Sequence, residues 1–176
     1  MLVDGEDLYD PKHPERLLAW RASIAHVPQS VYLADTSVAE NIAFGVPRQH
    51  IDLELVKKAA SQAQIASFIE SNPGGYESFV GERGIRLSGG QRQRIGIARA
   101  LYKKARVLVL DEATSALDTH TEQIVMKAIN SLSESLTVIM IAHRLSTVES
   151  CDRVIRLEQG SVVADGPPQM VLANQN

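Results

Sequence analysis

The sequence predicts an α/β domain built on a mainly parallel sheet. Short apolar segments alternate along the chain with amphipathic helical segments, which is the pattern of parallel strands covered by helices. Two segments, Val107–Leu110 and Val138–Ile141, are apolar at consecutive positions, as expected for strands covered on both faces. The 176 residues suffice for one domain with a sizeable core.

Five strands are predicted, and the last two form a hairpin. Gln159 and Gly160 separate those two strands and are typical of a tight turn. The predicted strands are, in chain order, Ile24–Pro28, Val107–Leu110, Thr137–Ala142, Arg153–Leu157 and Ser161–Ala164.

Three helices are predicted from apolar periodicity and capping residues. They cover Asp52–Glu70, Ser88 to about Leu101, and Glu122–Leu132. The expected buried stripe of the first consists of Leu53, Val56, Ala60, Ala63 and Ser67. The expected inward residues of the third are Ile124, Val125, Ala128 and Ile129.

Composition narrows the class of protein. A hydrophobic content of 44% with 22% charged residues is typical of a globular chain and not of a disordered one. The net charge of −3 gives no sign of a nucleic-acid-binding surface. The single cysteine, Cys151, allows no internal disulfide and fits a reducing cytoplasm. No apolar run approaches the roughly 20 residues that cross a bilayer, so a membrane connection would need a partner or additional sequence.

Polar residues follow three of the predicted strands. Asp111 and Glu112 follow Val107–Leu110, Gln29 ends the first strand, and His143 follows the third. The carboxyl ends of strands are where open α/β sheets bind ligands. Asp111 suits Mg²⁺, and Glu112 can polarise an attacking water. Taken alone, each has a plainer interpretation: a polar loop start, a structural histidine or an unremarkable glutamine.

A second candidate site is the start of the helix that Ser88 caps. Ser88, Gly89, Gly90 and Gln91 present backbone N–H groups, a hydroxyl and the positive end of the helix dipole, which together form an anion site. The plainer interpretation is a flexible cap. Three arginines on the same helix, Arg92, Arg94 and Arg99, are interpreted as a solvated face and not as a nucleic-acid surface.

Together these segments resemble the nucleotide-binding domain of ATP-binding cassette (ABC) transporters over essentially the whole chain. LSGGQ, Leu87–Gln91, matches the family signature. VLVLDEATSALD, Val107–Asp118, matches Walker B followed by the D-loop, which consists of Ser115, Ala116, Leu117 and Asp118. VPQ at Val27–Gln29 resembles the Q-loop, and IAHRLST at Ile141–Thr147 resembles the switch-histidine segment.

Two further segments are similar to exporter-type members of the family. VGERG resembles the X-loop, which touches the coupling helices of the membrane domain, and consists of Val80, Gly81, Glu82, Arg83 and Gly84. VAENIAFG, Val38–Gly45, follows the Q-loop as it does in exporters. The plainer interpretation of VGERG is a glycine-bounded loop.

The resemblance implies a fold and a dimeric mechanism. The fold would be a P-loop NTPase (RecA-like) core, about residues 1–35 and 103–176, with an inserted helical subdomain at about 36–102 that carries the signature. Two cassettes would pair head to tail, with ATP and Mg²⁺ as cofactors, on the cytoplasmic side of the inner membrane beneath an exporter's transmembrane domains. No role in binding nucleic acid is implied.

The resemblance also assigns roles to individual residues. Ser88, Gly89, Gly90 and Gln91 would bind the partner's nucleotide, and Asp111 and Gln29 would serve Mg²⁺. Glu112 would be the general base and His143 would stabilise the transition state. Ser115 to Asp118 would face the other subunit.

One family motif is missing. No GxxxxGK followed by Ser or Thr occurs in the 176 residues, and in the family this Walker A loop precedes the segment that resembles Leu2–Leu8. We therefore expect the C-terminal portion of an exporter ATPase, inactive alone and poorly soluble because the missing strand would leave two apolar strand edges unpaired.

Two alternatives to this interpretation remain. The first is a catalytically incompetent cassette that lends its signature helix to a partner. The second is a soluble ABC ATPase of chromosome maintenance or translation. Only 59 positions separate Gln29 from Ser88, which leaves no room for the coiled coil of the chromosome type.

Overall fold

The computed structural model describes residues 1–81, 84, 86–114, 116–130, 136–141 and 145–173. The described residues form a mixed α/β structure, which confirms the predicted class. The strands are β1 (Leu2–Val3), β2 (Glu6–Asp7), β3 (Ile24–Val27), β4 (Val107–Asp111), β5 (Thr137–Ile141), β6 (Val154–Glu158) and β7 (Ser161–Gly166). The helices are α1 (Glu15–Ser23), α2 (Val38–Ile42), α3 (Leu53–Gln62), α4 (Ala66–Ser71), α5 (Gly89–Tyr102), α6 (Thr119–Asn130), α7 (Leu145–Glu149) and α8 (Pro168–Ala173), with 3₁₀ turns at Arg48–His50 and Gly75–Glu77.

The chain divides into two compact units, Met1–Met140 and Ile141–Asn176. The sheet of the first unit has the order β3-β4-β5. β3 and β4 are parallel, with Ile24 opposite Val107 and Val27 opposite Leu110. Because paired parallel strands end at the same edge, the segments that follow β3 and β4 leave the sheet side by side.

The core of the first unit lies between this sheet and the helices, with α5 at its centre. α5 contacts β3, α2 and α3. Gly96 allows the close approach on one side, since a Cβ added there would lie 2.7 Å from Cγ2 of Val31. The largest side chains that are less than 2% exposed include Val27, Leu33, Ile42, Val56, Ile95, Ile97 and Leu108.

The predicted helix over Asp52–Glu70 is wrong in one respect, because the structure has two helices there. α3 ends at Gln62 and α4 begins at Ala66. Gln64 adopts a left-handed backbone (φ 57°), and the N–H of Ile65 bonds the carbonyl of Ala60 at 2.9 Å. This is a helix C-terminus formed without glycine. Within the predicted stripe Val56, Ala60 and Ala63 are buried, whereas Leu53 and Ser67 are exposed.

The expectation that both apolar strands are covered on both faces is wrong for β5. Its side chains alternate between half-buried and exposed, and Ile139 and Ile141 are 53% and 54% exposed. β5 lies at the edge of the three-stranded sheet, and one of its faces is not covered by the described residues. In β4, Leu108 and Leu110 are buried and the alternate side chains are half-buried.

The third predicted helix begins earlier than expected. α6 starts at Thr119 because Asp118 caps it, with Oδ1 accepting from the N–H of Thr121 at 2.9 Å. Val125 and Ile129 are buried as predicted, and Ile124 and Ala128 are half-buried. Leu132, the predicted end, lies outside the described residues.

The second unit contains the predicted hairpin. β6 and β7 are antiparallel, and Glu158 pairs with Ser161 across the turn. Gln159 and Gly160 both have positive φ, 49° and 79°, as a tight two-residue turn requires. α7 and α8 complete this unit, and Val171 of α8 is 1% exposed.

Candidate functional site

Gln29 and Glu112 meet at the carboxyl edge of the sheet. Each lies two residues beyond a member of the paired Val27 and Leu110, so the register of β3 and β4 brings them together. Nε2 of Gln29 donates a hydrogen bond to Oε2 of Glu112 at 2.6 Å. The two side chains, each predicted to follow a strand, are therefore in contact in the folded chain.

Asp111 and Glu112 have different backbone environments. Asp111 is the last residue of β4 and keeps extended geometry, whereas Glu112 has a φ of 49°. A non-glycine residue in the left-handed region is strained by roughly 1–3 kcal/mol, and such strain is concentrated at functional sites. The chain thus turns sharply at the residue that the sequence nominated as the base.

Gln93 holds this turn, and sequence reasoning missed it. Its side chain is only 4% exposed. Oε1 accepts from the N–H of Ala116 at 3.0 Å, and Nε2 approaches the carbonyl oxygen of Glu112 at 3.5 Å. The sequence did contain an indication of this role. Gln93 precedes Gly96 by three residues and Ile97 by four, which places it on the same, buried face of α5. A polar residue on that face indicates a specific buried partner.

The helix start at Ser88 has the geometry that the sequence predicted. Ser88 caps α5 in a capping box: its Oγ accepts from the N–H of Gln91 at 3.2 Å, and its own N–H donates to Oε1 of Gln91 at 2.8 Å. Ser88 is exposed, and Gly89 and Gly90 are half-buried. The hydroxyl proton of Ser88 is not used by the cap, so it remains available to an anion at the helix N-terminus.

The same helix start packs on the segment that follows Glu112. A Cβ added to Gly90 would lie 3.0 Å from the carbonyl oxygen of Ala116, and one added to Gly89 would lie 3.5 Å from the Ala116 side chain. Only a residue without a side chain permits the first approach without displacing backbone. The candidate anion site and the predicted D-loop are therefore in direct contact within one chain.

Three of the four predicted D-loop residues lie within the described chain, and Ser115 lies outside it. Ala116 is exposed, whereas Leu117 is buried and its N–H bonds the carbonyl of Thr114 at 3.0 Å. The Asp118 carboxylate accepts from the hydroxyl of Thr121 at 2.6 Å. This hydrogen bond and the one from the Thr121 N–H lower the pKa of Asp118 below its ordinary value of 3.8.

A buried carboxylate fixes the same segment from the other side. Glu122 is 4% exposed, and its Oε1 accepts from the hydroxyl of Thr114 at 2.8 Å. Sequence reasoning placed Glu122 at a helix start and missed this contact. A signal existed in the four-residue spacing from Asp118, which puts both acidic residues near the positive end of α6.

The segment resembling the X-loop is anchored at both ends. Val80 is 2% exposed and its N–H bonds the carbonyl of Thr36 at 3.2 Å. Gly84 is buried, has a φ of 70°, and a Cβ there would lie 2.9 Å from Cδ1 of Leu33. Gly81 is half-buried, and Glu82 and Arg83 lie outside the described residues.

The described site residues could bind the predicted Mg²⁺ only if water and phosphate oxygens supplied its remaining ligands. Among residues 1–81, 84, 86–114, 116–130, 136–141 and 145–173, no group of three His, Cys, Asp or Glu side chains could hold a metal ion. Asp111 and Gln29 offer a carboxylate and an amide oxygen at one sheet edge. Mg²⁺ is usually bound by one or two carboxylates, with water and phosphate completing its shell. His143, the remaining predicted catalytic residue, lies outside the described residues.

Within the described chain, no helix is both long enough and apolar enough to cross a membrane.

Comparison with known families and proteins gives consistent matches. The profile of the family described as "ABC transporter" matches residues 1–115. An ATP-dependent lipid A-core flippase of Cupriavidus metallidurans is 46% identical over 167 residues, which is 93% of this chain and 28% of that protein. ABC transporter B family member 6 of Dictyostelium discoideum is 45% identical over 172 residues, 98% of this chain and 24% of that protein.

A solved structure shares the fold. The structure of a bacterial Atm1-family ABC exporter with ATP bound superposes with a TM-score of 0.88 at 39% sequence identity. The match covers 99% of this chain and 30% of that one. The chain thus spans between about a quarter and a third of the length of these similar proteins.

Proposed function

This chain belongs to the ABC transporter family, and from that premise we propose that it is part of the ATPase cassette of an exporter. Its part would supply the catalytic carboxylate, the Mg²⁺-binding side chains and the signature helix. Coupled to a membrane domain, the complete cassette would use ATP binding and hydrolysis to drive transport. The similarity to lipid A-core flippases and to an Atm1-family exporter supports the exporter assignment.

The hydrogen bond between Gln29 and Glu112 is the observation that carries this proposal. It joins two strand ends that are 83 residues apart in sequence, at the edge where α/β proteins bind ligands. The contact is open to solvent, so a ligand or an attacking water can reach it. Glu112 is half-buried at this edge, where its carboxylate would be in reach of an attacking water.

We assign the individual roles as follows. Asp111 and Gln29 hold Mg²⁺, and Glu112 accepts the proton of the attacking water. Bound Mg²⁺ would neutralise charge on the phosphates. His143 donates a hydrogen bond that stabilises the transition state. Ser88, with the N–H groups of Gly89, Gly90 and Gln91, binds the γ-phosphate of ATP held by a partner cassette.

The partners follow from these roles. A second cassette would pair head to tail with this one, with Ser115–Asp118 at the interface. Val80–Gly84 would contact the coupling helices of the transmembrane domains, and the protein would lie at the cytoplasmic side of the inner membrane. Residues 1–35 and 103–176 would form the RecA-like core and residues 36–102 the helical subdomain.

A second candidate function is a cassette that lends its signature helix without binding ATP in cis. The capped start of α5 at Ser88 would suffice for this role. The retained Glu112 weighs against it, because a cassette without its own nucleotide has no use for a base.

The test of the signature site uses nucleotide-dependent association. The chain is mixed with a complete cassette of the Cupriavidus metallidurans flippase whose base is replaced by Gln, and the complex is measured by sedimentation with and without MgATP. We expect association only with MgATP, and we expect Gly89→Asp to abolish it. Aspartate at this position keeps the Ser88 cap and suits the helix dipole, so the loss would report charge repulsion from phosphate.

Leu53→Asp is the matched control. Leu53 is the exposed first residue of α3 and follows the capping residue Asp52, just as Gly89 is the first residue of α5 and follows the capping residue Ser88. The Leu53→Asp variant should associate normally. Association that does not depend on MgATP, or that persists in the Gly89→Asp variant, would contradict the proposal.

The intact mass of the native product, captured with an antibody against residues 118–135, distinguishes the two candidate functions. A mass well above 19.2 kDa favours the exporter ATPase, and a mass equal to it favours the incompetent partner.

A further inference from the structure

A cavity of about 330 Å³ lies at the end of the sheet opposite to the candidate catalytic site. It opens between α3, the end of α5 and the start of β4. Ala105 and Arg106, which precede β4, line it, whereas Glu112 follows β4. β4 has 5 residues, so at about 3.3 Å per residue the cavity and the candidate catalytic site are separated by about 15 Å along the strand. None of the residues assigned to nucleotide or Mg²⁺ lines the cavity.

The floor of the cavity is apolar. Ala25 and Leu108 face each other across the β3–β4 pair, and both line it at 4% and 1% exposure. Leu55 of α3 and Leu101 of α5 form the walls. The volume falls at the lower end of the range of small-molecule pockets, about 300–1,000 Å³. The space therefore suits a short aliphatic or aromatic body.

The rim of the cavity is cationic. Lys58, Lys104 and Arg106 line it, and none of the carboxylates that the structure describes does. Among the described residues, none of these three side chains forms an ion pair or a hydrogen bond. This concentration of positive charge occurs in a chain of net charge −3, so it is not a consequence of overall composition. Cations gathered around a low-dielectric floor attract anions more strongly than isolated surface lysines do.

The backbone around the rim is fixed. The N–H of Arg106 bonds the carbonyl of Ser23 at 2.8 Å, and its carbonyl accepts from the N–H of Thr137 at 2.9 Å. Lys104 has a φ of 53°, in the left-handed turn that follows α5. Arg106 thus extends from a backbone position held by hydrogen bonds on both sides, which lowers the ordering cost of binding.

We propose that this cavity binds an amphipathic organic carboxylate, with the carboxylate among Lys58, Lys104 and Arg106 and an aliphatic chain against Ala25 and Leu108. The cations hold the charged head, and the apolar lining, which includes Leu55 and Leu101, accepts the chain. Medium-chain fatty acids are the ligand class of matching shape and charge. The proposal does not depend on the ATPase assignment.

The first experiment compares decanoate with decan-1-ol on the unmodified 176-residue chain. Isothermal titration below the micelle concentration of decanoate should give saturable binding of one molecule per chain. Decanol fills the same apolar space without a charge, so it should bind about tenfold more weakly. Equal affinity for both molecules, or no saturable binding of decanoate, would overturn the proposal.

The second experiment removes the charges. Lys58→Ala combined with Lys104→Ala should weaken decanoate about tenfold, because two charge contacts are lost, and should leave decanol unchanged. Lys57→Ala is the matched control: Lys57 neighbours Lys58 on α3 but pairs with Glu54 at 2.7 Å, so its removal should not alter binding. Circular dichroism of each variant verifies the fold, which these exposed side chains do not determine. Weakening by the control as much as by the double variant would reject the assigned head-group site.

Discussion

The side chain of Gln93 joins the signature helix to the predicted D-loop, because its buried Oε1 accepts a hydrogen bond from the N–H of Ala116 at 3.0 Å. The same amide reaches toward the carbonyl of Glu112 at 3.5 Å. Two segments that are separate in sequence are therefore linked by one buried side chain, which also lies close to the candidate base.

We predict that Gln93→Ala destabilises the fold. It leaves the N–H of Ala116 without its partner and a cavity in a buried site, which together cost about 2–4 kcal/mol. Urea unfolding measured by circular dichroism gives the change in free energy. Gln123→Ala is the control, since Gln123 is an exposed residue of α6 and should change stability by less than about 0.5 kcal/mol. If both substitutions change the unfolding free energy equally, then Gln93 does not stabilise the segment around Ala116.

The two glycines of the signature should respond oppositely to alanine. Helix propensity favours alanine by up to about 1 kcal/mol at each position. A Cβ on Gly89 makes ordinary contact with the Ala116 side chain at 3.5 Å, so Gly89→Ala should be neutral or stabilising. A Cβ on Gly90 would press on the Ala116 carbonyl at 3.0 Å, so Gly90→Ala should destabilise by about 1–3 kcal/mol. Thermal unfolding of both variants checks the order, and a more stable Gly90→Ala protein would contradict the packing.

The parallel pairing of β3 and β4 explains why two of the predicted site residues meet. The apolar run before Asp111 identified β4, and the run before Gln29 identified β3. Once two strands are parallel and adjacent, the residues that follow them must share an edge. The sequence placed Gln29 and Glu112 at strand ends, and the adjacency of β3 and β4 in the structure brings them into contact.

The features that the sequence did not predict depend on tertiary context. The break between α3 and α4 occurs at Gln64, where no glycine or proline interrupts the apolar stripe that Ala60 and Ala63 continue. The roles of Gln93 and Glu122 depend on partners that other segments provide. The uncovered face of β5 was missed because a run of apolar residues does not show which neighbours are present to cover it.

Stability should depend on the protonation of Asp118. Hydrogen bonds from the Thr121 hydroxyl and N–H lower its pKa in the folded chain below the ordinary 3.8. The contribution of the carboxylate is therefore fully present above 3.8 and is lost as pH falls through the lower folded value. Asp118→Asn keeps a cap that does not titrate. The stability advantage of the unmodified chain over this variant should shrink as pH falls from about 5 to about 2.

Urea midpoints over that pH range measure this effect. Thr121→Ala serves as a second probe. It removes the hydroxyl that contributes most to the lowered pKa of Asp118, so it should reduce the pH-dependent part of the unfolding free energy. A stability difference between the unmodified chain and Asp118→Asn that stays constant with pH would show that this carboxylate does not carry the dependence.

The chain alone should bind MgATP poorly. The missing Walker A loop would supply about three charge-assisted hydrogen bonds at about 1.5–3 kcal/mol each, or about 4–9 kcal/mol in total. That equals the whole free energy of a millimolar-to-micromolar affinity, about 4–8 kcal/mol. Isothermal titration should show no saturable binding below about 1 mM, and Glu112→Gln should make no difference. A micromolar affinity would refute the importance of the missing loop.

The exposed face of β5 should limit the solubility of the chain, and one substitution should relieve it. Among the described strands of its sheet, β5 lies at an edge. Ile139 is 53% exposed, on the face of β5 that points away from the core. A lysine on an exposed edge strand blocks pairing between chains. Ile139→Lys should therefore raise the soluble fraction after expression, with a change in unfolding free energy of less than about 0.5 kcal/mol.

The neighbouring residue provides the matched control, because adjacent residues of a strand point to opposite faces. Val138 is half-buried against the core, so Val138→Lys should unfold the chain or lower its stability by several kcal/mol through an unpaired buried charge. Light scattering and thermal unfolding measure the two effects separately. If Ile139→Lys is as destabilising as Val138→Lys, then Ile139 belongs to a packed face and the solubility of the chain has another cause.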